Sequence, residues 1–414
     1  MTDLAILGGS PARSPTPRQW PVFDGTDEAL VLDALRSGAW SRWDGTFTRR
    51  FEAALGEYLS VKQVLAVSSG TAALQVALRS CGVERGDEVI VPAYGFVAPV
   101  AAVLECGAIP VFADVELDSM CIDPVDVESR VTPRTTALLP MHVGGSCADL
   151  DGLLRIAQRH GLALIEDAAL ALGSRWRGRH VGTLGKAGVF SFQAEKNLAG
   201  GEGGALVTDD DGVYETAVST HDYWKARLFP QGGWNERVWN FRITEVQSAL
   251  LIGQLSRLEQ QTEIRYRNGE LLDSLLTQLS HVVASRPGRG TDRRSFGLYA
   301  FRFEASPDAP LSKDEIIRAL VAEGVPAVGG YARPVYENPL FRDLAVGTSQ
   351  YPQLNEFRPA ECAVAERLAR TEAIWLSQQS LLCETQTVHE IAAGIRKVAN
   401  GVEDLYLARE RERP

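Results

Sequence analysis

Apolar and polar positions along this chain follow two rhythms. From about residue 26, stretches with apolar residues every three or four positions trade places with short, continuous apolar runs. The helical spacing falls on Asp27–Ser37, Thr48–Tyr58, Gly70–Arg79, Ala98–Cys106 and Leu150–Arg159. The short runs fall on Val64–Val67, Glu88–Val91, Ile109–Ala113, Ala137–Met141 and Ala163–Ile165. Such alternation predicts an α/β fold with a mainly parallel central sheet covered by helices on both faces. Three strand-like pieces follow, around Arg175–Trp176, Gly188–Phe192 and Ala205–Thr208. Ile243–Leu275, free of proline, predicts one long helix. Beyond it the character changes: Ser295–Glu304 alternates like a strand, Lys313–Glu323 is an amphipathic helix and His389–Leu405 a closing helix. The pattern divides the chain into an N-terminal arm (1–25), a large α/β domain (26–258) and a smaller α+β C-terminal domain (259–414).

At 414 residues the chain is long enough for more than one domain with a full core. It carries 53 acidic against 42 basic residues, a net charge of −11, which argues against a nucleic acid or other polyanion as the main partner. Uncharged stretches such as Val89–Leu104, broken by Pro92, Gly95 and Pro99, fall short of the roughly 20 apolar residues a membrane helix needs. The first residues show neither a basic nor a long apolar segment, so the expected setting is the cytoplasm, with no membrane partner. The six cysteines form no CxxC pair and sit mostly in apolar segments, as small core residues of a reducing compartment rather than a disulfide frame or metal site. Only six of the basic residues are lysines: 62, 186, 196, 225, 313 and 397. Chemistry that needs an amine has six candidates.

Three local features carry chemistry. Ser68-Ser69-Gly70-Thr71-Ala72-Ala73-Leu74 follows an apolar strand and opens a helix, where backbone N–H groups make an anion site suited to phosphate. A plain Ser69 N-cap fits the same residues. Glu166-Asp167 stands at the carboxyl end of a central strand, the edge where ligands sit in open α/β sheets. A carboxylate there can hold a protonated ring nitrogen, a metal or a ribose, or act as a structural ion pair. Lys196 emerges from Phe190-Ser191-Phe192 onto the glycine-rich run 200–204, where an amine meets a ligand or simply faces solvent. That run has neither the P-loop nor the dinucleotide-fingerprint spacing. Together, a phosphate site, a carboxylate and a lysine are what pyridoxal 5'-phosphate requires.

The order of these motifs adds specificity. Ser69–Leu74, Gly86-Asp87-Glu88-Val89-Ile90-Val91-Pro92, Glu166-Asp167-Ala168-Ala169, Ser191-Phe192 with Lys196 and Gly201-Glu202-Gly203-Gly204, and Asn240-Phe241-Arg242-Ile243-Thr244-Glu245-Val246-Gln247 occur in sequence. Over nearly its whole length the chain resembles the DegT/StrS type of sugar aminotransferase, a pyridoxal-phosphate enzyme of fold type I. The resemblance implies that Lys196 forms the Schiff base and that Asp167 pairs with the pyridine nitrogen. Ser69, Gly70, Thr71 and Ser191 would hold the phosphate and Phe96 would stack on the ring. Asn240 would reach the phosphate of a neighbouring subunit, which implies a homodimer with composite sites. Relatives of this type commonly carry His or Gln three residues after the aspartate, facing the cofactor's ring hydroxyl; here Leu170 stands there. They also often have Thr where this chain has Gly95. Lys196, rather than the His of sugar-dehydrating members, favours transamination.

The implied reaction is ping-pong: glutamate or glutamine leaves its amino group on the cofactor, and a keto sugar or keto cyclitol takes it up. Trp40-Ser41-Arg42-Trp43-Asp44-Gly45 and Arg333-Pro334-Val335-Tyr336 with Asn338-Pro339-Leu340-Phe341 resemble the branch that aminates cyclitols such as scyllo-inosose, in aminocyclitol antibiotic biosynthesis. Trp40, Arg42, Tyr94, His142 and Tyr336 are the candidate substrate contacts, each equally at home as a packing residue. The alternatives are a nucleotide-keto-sugar aminotransferase and a non-catalytic, cofactor-binding regulator.

Overall fold

The structure, a computed structural model, describes residues 3–14, 20–222, 239–304, 306–342 and 361–412; Lys225 lies outside them. Helices α1 (Gly25–Arg36) and α2 (Phe47–Leu59) precede the first strand, β1 (Gln63–Val67). Then follow α3 (Gly70–Ser80), β2 (Glu88–Pro92), α4 (Val97–Glu105), β3 (Ile109–Ala113), α5 (Pro124–Arg130), β4 (Thr135–Leu138), α6 (Leu150–His160) and β5 (Ala163–Asp167). Two short strands, β6 (Arg175–Trp176) and β7 (Arg179–His180), lead to β8 (Ala187–Ser191), β9 (Gly204–Thr208) and α7 (Asp211–His221).

Seven strands form the main sheet in the order β1-β9-β8-β5-β4-β2-β3. Every neighbouring pair is parallel except β9, which runs antiparallel to both β1 and β8. The carboxyl ends of β1, β8 and β5 therefore share one edge. These strands are buried on both faces over most of their length, which is why they read as continuous apolar runs rather than as alternating ones. The expected strand over Ala137–Met141 stops at Leu138, and Pro140, which has no N–H to give a ladder, lies just beyond. Only an isolated bridge joins Met141 to Asp167.

Helix α8 (Glu245–Leu276) runs 32 residues, roughly 48 Å at 1.5 Å per residue. It opens with a capping box in which Thr244 and Gln247 satisfy each other's backbone N–H groups. It passes through Leu258 unbroken, packing on α1 and α2 and, in its C-terminal part, on α12 (Thr385–Asn400). A second, antiparallel sheet follows, in the order β10 (Val282–Ala284), β12 (Leu298–Phe303), β14 (Ala373–Ser377), β13 (Ala327–Gly329). Strand β11 (Thr291–Arg293) pairs instead with β6. Helices α9 (Lys313–Ala322), α10 (Pro339–Arg342), α11 (Ala363–Arg367), α12 (Thr385–Asn400) and α13 (Val402–Glu412) complete the C-terminal part. The expected closing helix is thus two, divided at Gly401, where a side chain would meet Leu4 at 2.5 Å. From beyond Leu258, Val335, Tyr336, Phe341 and Ala365 return to pack into the core of the main sheet, while a separate core lies between the second sheet, α9 and α12.

Candidate active site

Each strand that ends on the shared edge delivers one chemical group. Strand β1 runs out at Val67, and Ser69 turns the chain into α3. Its hydroxyl accepts the Ala72 N–H at 3.1 Å, so the side chain serves as the N-cap. The first N–H groups of the helix, those of Gly70 and Thr71, have no partner within it, and both residues line the cavity. Gly70 is needed for close approach: a Cβ there would lie 2.8 Å from Cβ of Ser191 at the end of β8. Gly204, opening β9, presses on the same turn, where a Cβ would meet the Ser69 carbonyl at 2.5 Å.

Strand β5 ends in two acids with opposite surroundings. Glu166 is fully buried and accepts hydrogen bonds from the N–H groups of Gly182 (2.9 Å), Leu184 (2.7 Å) and Gly185 (2.7 Å), and from His142 Nε2 at 3.2 Å. Burial opposes its charge, but His142 and these N–H groups outweigh burial and hold its carboxyl below the ordinary range. Asp167 points the other way. The one hydrogen bond its carboxylate makes among the described residues comes from the Ala169 N–H, at 3.0 Å, and the residue lines the cavity. Burial pushes its pKa up, against the Ala169 N–H and the Lys196 charge. Strand alternation separates the pair, one into the protein and one into the cleft.

Lys196 follows β8 in a turn whose carbonyl at Ala194 accepts the Trp20 indole N–H at 2.8 Å. Its amine is largely buried, which pushes its pKa down, opposed by the charges of Asp167 and Glu195. These groups converge on one cavity of about 330 Å³. Ser69, Gly70, Thr71, Phe96, Asp167, Ser191 and Lys196 line it, with Phe96 half-exposed at the entrance to α4. Asn240 does not; it is exposed and bridged to Asp222.

The structure places the five candidate substrate contacts elsewhere within this chain. His142 is wholly buried: its Nδ1 accepts the Ala148 N–H at 3.1 Å, so Nε2 carries the proton and donates to Glu166. Tyr94 is buried between Tyr331 and Trp375, with ring centroids 5.3 and 6.3 Å away. The Tyr336 hydroxyl donates to Glu366 at 3.0 Å, and Arg42 pairs with Glu52 at 2.6 Å. Trp40 is 59% exposed and donates to the Leu35 carbonyl. The cavity is completed by Met141, Gln193 and Tyr331, which no motif announced, and by Leu170, already marked by its place after the aspartate, with Glu195 and Glu202 also in its lining. Tyr331 comes from the turn after β13, which reaches the main sheet only through tertiary packing. Its nearness in sequence to Arg333–Tyr336 was the one available signal.

Relatives share this architecture. The chain is 38% identical to an L-glutamine:2-deoxy-scyllo-inosose aminotransferase of Streptomyces lividus, over 97% of this chain and 99% of that one. It is 36% identical to a provisionally named L-glutamine:3-amino-2,3-dideoxy-scyllo-inosose aminotransferase of Micromonospora echinospora, over 96% and 97%. The crystal structure of 3-amino-5-hydroxybenzoic acid synthase superposes with a TM-score of 0.84 at 31% identity, covering 94% of this chain and all of that one. The fold-type-I architecture expected from the motifs is the one found. Residues 22–394 match the model of the DegT/DnrJ/EryC1/StrS aminotransferase family, and the chain is an aminotransferase belonging to that family.

Proposed function

We propose that this aminotransferase works with pyridoxal 5'-phosphate, in the cytoplasm and as a homodimer, to carry an amino group from glutamine to a keto cyclitol of the scyllo-inosose class in aminocyclitol antibiotic assembly. The observation that carries the reading is the meeting of Lys196, Asp167 and the α3 N-terminus in one cavity. The donor set suits the cofactor. Backbone N–H groups and the cradle left by Gly70 and Gly204 take a phosphate, a cavity-facing carboxylate takes a protonated ring nitrogen, and a desolvated amine reaches a carbonyl carbon. The names of the relatives support the donor and the acceptor class.

When bound, the cofactor supplies an electron sink for the carbon that loses a proton. The protein supplies the rest. The first N–H groups of α3 and Ser191 bind the phosphate, and Phe96 covers the ring. Asp167, ionised beside the ring nitrogen, keeps that nitrogen protonated. Lys196, with its pKa depressed by burial, takes the proton from the α-carbon of the amino donor as a neutral amine and returns it on the other side of the transfer. Asn240, exposed away from this chain's cavity, is the residue the family resemblance assigns to the partner's site.

Absorbance reads the proposal directly. The protein loaded with pyridoxal phosphate is expected to be yellow, to bleach with L-glutamine, and to recover colour with 2-deoxy-scyllo-inosose but not with a nucleotide keto sugar. Lys196→Ala is expected to abolish bleaching. Colour that persists with every amino donor would leave only a binding role, and recovery with the nucleotide sugar alone would reassign the acceptor.

A further inference from the structure

A pyridoxal ring carries a hydroxyl beside the carbon that joins the lysine, and its oxygen is an acceptor that must meet a donor once it is taken out of water. This chain has Leu170 on the cavity wall, three residues beyond Asp167, and leucine donates nothing. The oxygens of the other polar side chains around the cavity, Ser69, Ser191 and Gln193, accept backbone N–H groups, which holds those side chains close to their own backbone. The Ser69 hydroxyl caps α3, and the Thr71 and Ser191 hydroxyls stand with it at the phosphate end; Ser191 Oγ accepts the Gln193 N–H at 3.4 Å. The amide oxygen of Gln193 accepts the Glu195 N–H at 2.8 Å, which turns that side chain back on its own loop.

Tyr331 remains. Its ring lies edge-on to Tyr94 (centroids 5.3 Å, 70°) and to Trp375 (4.7 Å, 86°), so its direction is set by packing. Room for this cluster depends on Gly330, where a Cβ would meet the Tyr94 hydroxyl at 2.2 Å and the Trp375 ring at 3.0 Å. The Tyr331 hydroxyl has only the thioether of Met141, 4.0 Å away, as a partner among the described residues, and thioether sulfur is a weak acceptor. A partly buried phenol on the wall of a ligand cavity, with no strong acceptor, is a donor held in reserve. Burial and the Asp167 charge push its pKa up, so it stays protonated through the neutral range.

We propose that Tyr331, carried in from the second sheet, donates the hydrogen bond to the cofactor's ring hydroxyl that Leu170 cannot make. The inference rests on the cofactor reading above. It gives the aromatic cluster a purpose: Tyr94 and Trp375 fix the phenol, and the phenol stabilises negative charge on the ring oxygen. That charge is greatest when the nitrogen joined to Lys196 is unprotonated, so the donor lowers the pH at which this nitrogen loses its proton.

A pH titration of the visible band of the cofactor-loaded protein, without substrates, tests this. Tyr331→Phe is expected to move the midpoint up by about one pH unit, the size of one hydrogen bond to a charged acceptor. Leu170→Gln, built into the Tyr331→Phe protein, is expected to move it back. An unchanged midpoint in a still-yellow Tyr331→Phe protein overturns the proposal. So does a shifted midpoint that neither Leu170→Gln nor Leu170→His reverses, since the effect would then come from packing. Thermal denaturation of the cofactor-free proteins identifies a misfolded variant, for which Tyr331→Met with the same rescue replaces Tyr331→Phe. A wild-type protein that takes up no colour would instead sink the cofactor reading.

Discussion

Glu166 and Asp167 are neighbours in the chain and opposites in the fold. Both were legible as acids at a strand end; local spacing treated them as one feature, and only the family resemblance singled out Asp167. What divides them is the alternation of β5 together with the 182–185 loop, which brings three N–H groups onto Glu166 and none onto Asp167. Their substitutions are therefore expected to fail differently. Glu166→Gln places an amide N–H against backbone donors in a fully buried site and weakens the hydrogen bond from His142; a loss of about 1–3 kcal/mol in unfolding free energy is expected from chemical denaturation. Asp167→Asn leaves the fold intact, and the rate of glutamine-dependent bleaching falls by about 10²-fold or more. Lys196 could be singled out from six lysines because a strand and a glycine run flank it. His142 and Tyr94 could not be assigned, because a residue at a strand end reads the same whether it turns to the ligand or to the core.

At the scale of elements, boundaries came close wherever a cap or a proline marks them, as at α3 and α8, and failed where the stop is tertiary, as at Gly401 under Leu4. The fit of α3 against β8 shows what a single element contributes to the site. Alanine is a better helix residue than glycine by about 1 kcal/mol, so Gly70→Ala would stabilise an isolated helix. Here its Cβ would press on Ser191, 2.8 Å away, and push the helix start off the strand end. Affinity for pyridoxal phosphate, measured by absorbance titration, is expected to weaken at least about tenfold, with little change in Tm of the cofactor-free protein.

Across the whole molecule, α8 ties the main sheet to the C-terminal part. Midway along it Glu259 receives Arg293 of β11 through both carboxylate oxygens, at 2.5 and 2.9 Å, and the Tyr58 hydroxyl of α2 at 3.0 Å. The Arg293 hydrogen bonds hold the Glu259 carboxyl down at about 2, against an ordinary value of 4.5. A carboxylate with a lowered folded pKa stabilises the fold fully above its unfolded pKa and loses that contribution as pH falls through the folded one. Because Glu259 is half-exposed, solvent screening limits the contribution to about 1 kcal/mol. Glu259→Gln is expected to cost that amount in urea unfolding at pH 7, and the difference from the natural protein should shrink as pH falls from about 4.5 towards about 2.

The sequence by itself determined the order of strands and helices, the sheet's buried character, and the three segments that carry phosphate, carboxylate and amine chemistry. Each of these is set by local spacing, and each local motif keeps its meaning wherever the chain places it. Tertiary structure alone decided which way each side chain turns at a strand end, and so sent Asp167 into the cavity and Glu166 into the protein. It also brought Tyr331 from beside the second sheet into the cavity that Leu170 lines. Contacts between residues more than a hundred positions apart depend on how whole elements pack, and no short stretch of sequence records that.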